Sequence, residues 1–407
     1  MCGTRDRLAT NRGGQFLRLL RDELGLRQSQ LARNADCSTD SIRKFEQGVQ
    51  PIGNTPLTGR LAQSLGTTTI ELLLADSGLT DQSACVNRIR RALISHTVGS
   101  TSSSRIGAYR VRDLKTRVRE ALTFATTFAY REFSVVLPRL IRDLDTAQRQ
   151  ATNSRTVKTV LELLGEVFVA TSEVMNERHE DDVAVIAANQ AINAGKECGD
   201  RDLGKSLVLR GHAVKARALL ESGYPFRARN ALRDGLPLYK DLERSSDWEP
   251  VAAVGSWLLT VAQLEAHTGN GDNVATKLEV ARRLAQRASD VPNKQVQTFT
   301  TSTVAMTAMR LLTEVGNGAL ALDYARDMPW ESLTPEQRAR TLIDATRAHL
   351  LLGSPEKALE SLLEAEEFAP EELIKRGAVV AIIAEVESHV VEPHLTMLHD
   401  FVNRLYG

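Results

Sequence analysis

The side chains best suited to chemistry in this 407-residue chain lie close together, in Ser38-Thr-Asp-Ser-Ile-Arg-Lys-Phe-Glu46. Read as a short helix, this stretch turns Ile42 and Phe45 inward and carries two cations, Arg43 and Lys44, and the acid Asp40 on the opposite face. Such a face donates and accepts hydrogen bonds, and arginine in particular can address O6 and N7 of guanine in the major groove. Nothing comparable points to catalysis. The chain holds no Gly-rich phosphate loop, no Gly-x-Ser-x-Gly elbow and no His-Glu-x-x-His. His389, Glu392, His394 and His399 cluster late in the chain, but Pro393 interrupts them and histidines five apart do not share a helix face. No enzyme activity, cofactor or metal site is expected.

The elements that must position this face are short helices. Phe16, Leu17 and Leu20 recur at helical spacing and Gly25 stops that helix; Gln28 to Asn34 carries a second, with Leu31 and Ala32 inward. Ser38 is suited to cap the third helix and Gly48 to end it. Two more are expected, Pro56 to Leu65 and Thr68 to Leu74, separated by Gly66. The order reads as a helix-turn-helix, in which one short helix enters the major groove.

Gly14 to Leu74 resembles the Cro/phage-repressor (XRE-type) helix-turn-helix family. The resemblance rests on Gln28 opening helix two, Leu31-Ala32, Ser38-x-x-x-Ile42, Glu46-x-Gly48 and Pro51. It implies that Gln28 bonds a phosphate or base edge, and that Ser38, Thr39, Asp40, Arg43 and Lys44 face double-stranded DNA. Asp40 departs from the expected pattern, since an acid is repelled by phosphate and can only accept, for instance from cytosine N4. Arg21 and Glu46 match positions where the family often buries an ion pair between helices one and three; the alternative is an ordinary surface pair.

Composition frames the rest. Aromatic residues make up only 5% of the chain while Ala, Leu and Arg are abundant, which suits an all-helical protein. No apolar run reaches the ~18 residues of a membrane span, and Met1 to Arg7 lacks a signal-peptide core. Cys2, Cys37, Cys85 and Cys198 are scattered without metal or disulfide spacing. A cytoplasmic protein is expected. Net charge is zero, yet residues 1–118 hold 18 Lys and Arg against 10 Asp and Glu, so the remainder is acidic. A basic front and an acidic rear suit a DNA-reading end and an effector end, although the arginines from Arg88 to Arg117 would equally serve as a solvated helix face.

A polar, Ser/Thr-rich stretch from His96 to Arg105 is the best linker candidate, preceded by a short amphipathic helix near Ala84 to Ser95. Beyond it the chain repeats. Gly353 is followed at +5, +12 and +17 by Ala358, Ala365 and Pro370, a spacing similar to tetratricopeptide repeats, where glycine ends helix A and small residues let helix B pack closely. The pattern begins again at Gly316 with Ala321 and at Gly223 with Ala228, with weaker copies at His179 with Ala184 and between Gly269 and Ala275. Helix pairs are expected near 106–150, 156–198, 200–240, 249–289, 297–331, 335–368 and 371–406, the alternative being a helical bundle without repeats.

The expected organisation is therefore all-α: a five-helix DNA-binding domain over 1–76, a linker with a short helix over 77–105, and a tetratricopeptide-like α-solenoid over 106–407. Stacked pairs form a concave groove lined by A helices. Phasing on the glycines turns Glu173, Asn176, Arg210, Arg217, Arg310 and Arg347 toward it, where arginine can clamp a carboxylate and asparagine an extended backbone. The domain order is similar to the peptide-pheromone receptor regulators of quorum sensing. That resemblance implies a transcriptional regulator that binds an inverted-repeat operator as a homodimer and senses a peptide, another small ligand or a protein partner. A dimer contact is expected near 371–406, where Ala378-Val-Val-Ala-Ile-Ile-Ala384 is apolar for a terminal repeat. The alternative is an interaction scaffold or antitoxin-like partner protein whose DNA binding is autoregulatory.

Overall fold

In a computed structural model, residues 12–53, 55–76, 82–98, 111–127, 129–199, 202–245, 247–289, 299–375 and 377–406 are described. Among them there are 21 α-helices and no strand. Cys2 and the linker residues 99–105 lie outside the described residues. The chain divides into two compact units, Met1–Ala187 and Ala188–Gly407.

The first unit begins with α1 (Arg12–Glu23), α2 (Gln28–Asn34), α3 (Thr39–Glu46), α4 (Pro56–Leu65) and α5 (Thr69–Asp76). Their apolar stripes converge on one core, in which Leu17, Leu31, Ile42, Leu61 and Leu72 are fully buried. Burial of each such side chain is worth about 1.5–3 kcal/mol. Local chemistry sets the ends of these helices. The Ser38 hydroxyl accepts from the Ser41 amide at 3.0 Å to cap α3. At its other end Gly48, with φ of 68°, lets the Val49 amide reach the Lys44 carbonyl at 2.9 Å. Next come α6 (Gln82–Val98), α7 (Val111–Thr126), α8 (Tyr130–Gln150) and α9 (Ser154–Glu177). Helix α10 (Asp181–Cys198) spans the division between the units.

The expected linker helix is longer and better packed than its sequence suggested. In α6, Cys85, Val86, Ile89, Ala92 and Leu93 are buried and packed on α8. His96, expected in a flexible stretch, bonds Asp145 at 2.9 Å and lies against the Phe168 ring. A stripe at i, i+1, i+4, i+7 and i+8 is wide enough to require a partner surface.

The second unit continues as helix pairs: α11 (Asp202–Glu221) with α12 (Pro225–Leu242), α13 (Trp248–His267) with α14 (Gly271–Ser289), α15 (Thr301–Glu314) with α16 (Gly318–Arg326), and α17 (Pro335–Leu351) with α18 (Pro355–Phe368). Each A helix ends in the same turn. Gly223, Gly269, Gly316 and Gly353 all have φ between 64° and 80°, and the amide after each glycine bonds back at 2.8–2.9 Å to Leu219, Glu265, Leu312 and His349. His179 adopts the same turn at the end of α9, with φ of 57° and Glu180 bonding Met175 at 2.9 Å. Five residues on, Ala184, Ala228, Ala321 and Ala358 are fully buried. After Gly269 that place belongs to Val274, not to Ala275.

Close approach also fixes the packing within the second unit. A Cβ on Gly255 of α13 would run into the Phe299 ring, so the ring sits directly on the helix backbone. The expected final pair is three helices, α19 (Pro370–Lys375), α20 (Gly377–Glu387) and α21 (His394–Tyr406). Pro393 cannot continue α20, because proline lacks the amide proton that a helix interior uses. Within the apolar run 378–384, Val379, Ile382 and Ile383 belong to the core of this end, while Val380 stays exposed.

Candidate nucleic-acid interface

Recognition of DNA requires a helix that shows its polar face to solvent and is held rigidly from behind. Thr39, Asp40, Arg43 and Lys44 of α3 are exposed, while Ile42 and Phe45 are buried beneath them. Asp40 makes an ion pair with Arg43 and another, at 2.7 Å, with Lys44. These two hydrogen bonds, Lys44's the larger, hold the Asp40 carboxyl below the usual carboxylate range. The acid that departs from the family pattern therefore occupies the two cations expected to meet DNA.

The helix is held at its end by a buried pair. Arg21 Nε donates to Glu46 Oε1 at 2.6 Å and Nη2 to Oε2 at 3.1 Å, with both residues only 8% exposed. The hydrogen bonds to Glu46 push the Arg21 guanidinium further above its ordinary pKa. Arg21 also donates to the Leu26 carbonyl at 2.8 Å, which ties α1, the turn after it and α3 together. Of the two readings left open by the sequence, the buried one holds. Gln28 joins this network: its Nε2 donates to Glu46 Oε2 at 2.8 Å, so the amide expected at a phosphate or base edge is turned inward.

Three arginines position the site; the sequence does not single out two of them, Arg60 and Arg139, and offers the third, Arg88, only as phosphate-attracting or solvated. Arg60 of α4 donates from Nε to the Ala35 carbonyl at 2.8 Å, bracing the turn between α2 and α3, where Asp36 has φ of 50°. Arg139 of α8 donates to the Asp22 and Glu23 carbonyls, both at 2.9 Å, closing the C-terminal end of α1. Arg88 of α6 bonds both oxygens of Glu71, at 2.7 and 2.8 Å, and the Ser134 hydroxyl at 2.9 Å. Beside them, burial raises the Glu23 carboxyl pKa, opposed by Arg117 and Arg139. The first five helices are thus fastened to α6 and α8. These contacts join residues 17 to 117 positions apart, and no local spacing announces them.

Residues 14–74 match the sequence model of the helix-turn-helix domain. They form a helix-turn-helix domain. No curated protein matches the chain. Among solved structures it is similar to PlcR of Bacillus thuringiensis in complex with the peptide PapR7 and DNA, at 11% identity, covering 89% of this chain and 99% of that one with a TM-score of 0.31. It is also similar to ComR from Streptococcus suis, at 12% identity, covering 88% and 94% with a TM-score of 0.30. Among the described residues, no helix is long and apolar enough to cross a membrane.

The residues expected to line a groove fall in both units. Glu173 is half-buried in α9, and Asn176 of the same helix is buried with its Oδ1 lacking a hydrogen-bond partner. Arg210 and Arg217 lie on α11, Arg310 on α15 and Arg347 on α17, all half-buried. Arg310 donates to Glu314 at 3.1 Å. The late histidines have ordinary partners: His389 bonds the Glu385 carbonyl and His399 the Glu387 carboxylate.

Proposed function

We propose that this protein is a cytoplasmic transcriptional regulator whose helix-turn-helix domain reads operator DNA with α3 and whose helical repeats sense a peptide, another small ligand or a protein partner. The observation that carries this reading is the contrast within the domain. Glu46 and its partners lock α3 from behind, while Thr39, Asp40, Arg43 and Lys44 remain open to solvent. In this reading the organisation is a DNA-binding domain over 1–76, a linker over 77–105 and a sensing, dimerising domain over 106–407.

One recognition helix meets too few base pairs to select a site in a genome, so two copies on an inverted repeat are required. The end of the repeats supports a homodimer. Val380, Ile383, Val402 and Tyr406 line an apolar recess of about 310 Å³, and Val380 and Tyr406 are 58% and 47% exposed. Light scattering should give a dimer for the parent and a monomer for Val380→Glu; a monomeric parent at micromolar concentration removes the dimer from the reading.

Genome-wide mapping of bound DNA followed by anisotropy titration on a recovered site tests DNA reading. Replacing Arg43 and Lys44 together by Ala should weaken binding about tenfold or more and lower the salt slope by about one for each phosphate that the missing cations had neutralised. Unchanged affinity would show that α3 is not the reading helix.

A further inference from the structure

The turn glycines give the second unit an internal ruler, and one position on it stands out. Six residues before Gly223, Gly269, Gly316 and Gly353 are Arg217, Gln263, Arg310 and Arg347. The same place in four successive A helices is thus held by long, cationic or amide side chains. The A helices pack in series, α11 on α13, α13 on α15 and α15 on α17. Gln263 Nε2 donates across that series to Glu221 Oε1 at 2.8 Å, so this face of α13 lies beside the corresponding face of α11. Arg217, Arg310 and Arg347 are half-buried, which preorganises them more than surface arginines. They stand out against their surroundings, since residues 119–407 hold 33 Lys and Arg against 41 Asp and Glu.

The four are not equivalent. Gln263 is engaged by Glu221, and Arg310 by Glu314 one turn along its own helix. Arg217 and Arg347, at the two ends of the series, make no hydrogen bond or ion pair with the described residues. A half-buried guanidinium without a carboxylate is the arrangement that an incoming anion completes, through two parallel hydrogen bonds. Neighbouring helices pack about 8–10 Å apart, so three steps separate the two arginines by roughly 24–30 Å. An extended chain rises about 3.3 Å per residue, and roughly seven to nine residues cover that span.

We infer that this face of the second unit binds an extended acidic peptide of about seven to nine residues that carries a carboxylate at each end, one held by Arg217 and the other by Arg347. One of the two is an Asp or Glu side chain and the other is the free C-terminus. The inference rests on the sensing role proposed above and adds the charge, the length and the two anchors of the ligand.

Affinity selection tests it on the full-length chain. A synthetic pool of random nonapeptides with free carboxyl ends is passed over the immobilised protein, and the retained peptides are sequenced by mass spectrometry. The parent should enrich Asp and Glu several-fold near one end, and amidation of the pool should reduce retention. Arg217→Glu and Arg347→Glu should each abolish one of these two dependences and leave the other. Should a reversal disturb the tryptophan fluorescence of the folded unit, Arg→Gln at that position is expected to give the same loss. Retained peptides without acidic enrichment, or enrichment that survives both substitutions, would overturn the charge anchors while keeping peptide sensing. Retention of no peptide by the parent would overturn peptide sensing itself.

Discussion

Two arginine–glutamate pairs with the same geometry hold different regions of this molecule. In the helix-turn-helix domain, Arg21 meets Glu46 through Nε and Nη2 at 2.6 and 3.1 Å. At the end of the repeats, Arg404 meets Glu366 through the same atoms at 2.9 and 2.7 Å. Their surroundings differ. The side chains of the first pair are 10% and 4% exposed, and those of the second 52% and 17%. The small domain fixes its recognition helix through one buried network. The repeats distribute their order over many turns, small residues and close helix contacts, and the pair at their end stands largely in solvent. Geometry alone therefore does not set the worth of an ion pair; exclusion of water does.

Removal of one partner of the buried pair should have the largest effect. Glu46→Gln leaves the Arg21 charge without its buried counter-ion, with only the exposed Asp22 carboxylate beside it at 2.6 Å, and should cost up to about 3–5 kcal/mol. The tryptophans, Trp248, Trp257 and Trp330, all lie outside the domain, so hydrogen exchange of the α1 and α3 amides is the suitable probe. Exchange at the parent rate would mean that the network does not hold α3.

The repeats should prove most sensitive to shape. Gly255→Ala forces a methyl group into the Phe299 ring and should cost about 1–3 kcal/mol in urea unfolding followed by tryptophan fluorescence. A second substitution, Phe299→Leu, should recover part of that loss; no loss in the single variant would mean that the ring moves aside freely.

The repeats should also show a pH effect near neutrality. His212 of α11 is buried, and desolvation lowers its pKa, with Asp234 opposing and Lys215 and Lys196 reinforcing the shift. The unfolded chain takes up a proton at the ordinary value of about 6.5, whereas the folded site resists it. Stability of the second unit should accordingly be complete above that value and fall as the pH drops below it. His212→Leu should flatten the dependence between about pH 7 and 5, and an equally steep fall in the variant would assign it to other groups.

The smallest effect should come from the exposed twin of the buried pair. Arg404→Ala is expected to change stability by under about 1 kcal/mol, with a melting midpoint close to the parent's. A loss comparable to that of Glu46→Gln would show that burial is not what separates the two regions.

Much of the architecture was legible because it is local. The Ser38 cap, the Gly25, Gly48 and Gly66 stops and the period of Phe16, Leu17 and Leu20 act within a few residues, and the helices begin and end where those signals stand. The repeat turns were legible for the same reason, including the one at His179, where no glycine marks it. The final helix pair was less so. The run from Ala378 to Ala384 shows that the end is apolar, but not which of its residues face the core.

The sequence by itself determined most of the helices, their order, the polar face of α3 and the candidates Arg43 and Lys44, since propensity, capping and periodicity are properties of neighbouring residues. Only the tertiary structure decided that Arg21 and Glu46 are buried together, that Gln28 turns inward to Glu46, that Arg60 braces the turn, and that Arg88 and Arg139 fasten the domain to α6 and α8. Each of these depends on which surfaces exclude water when distant helices meet. A long polar side chain presents the same local pattern whether it ends in solvent or in a buried network, and the packing of the other helices makes that choice.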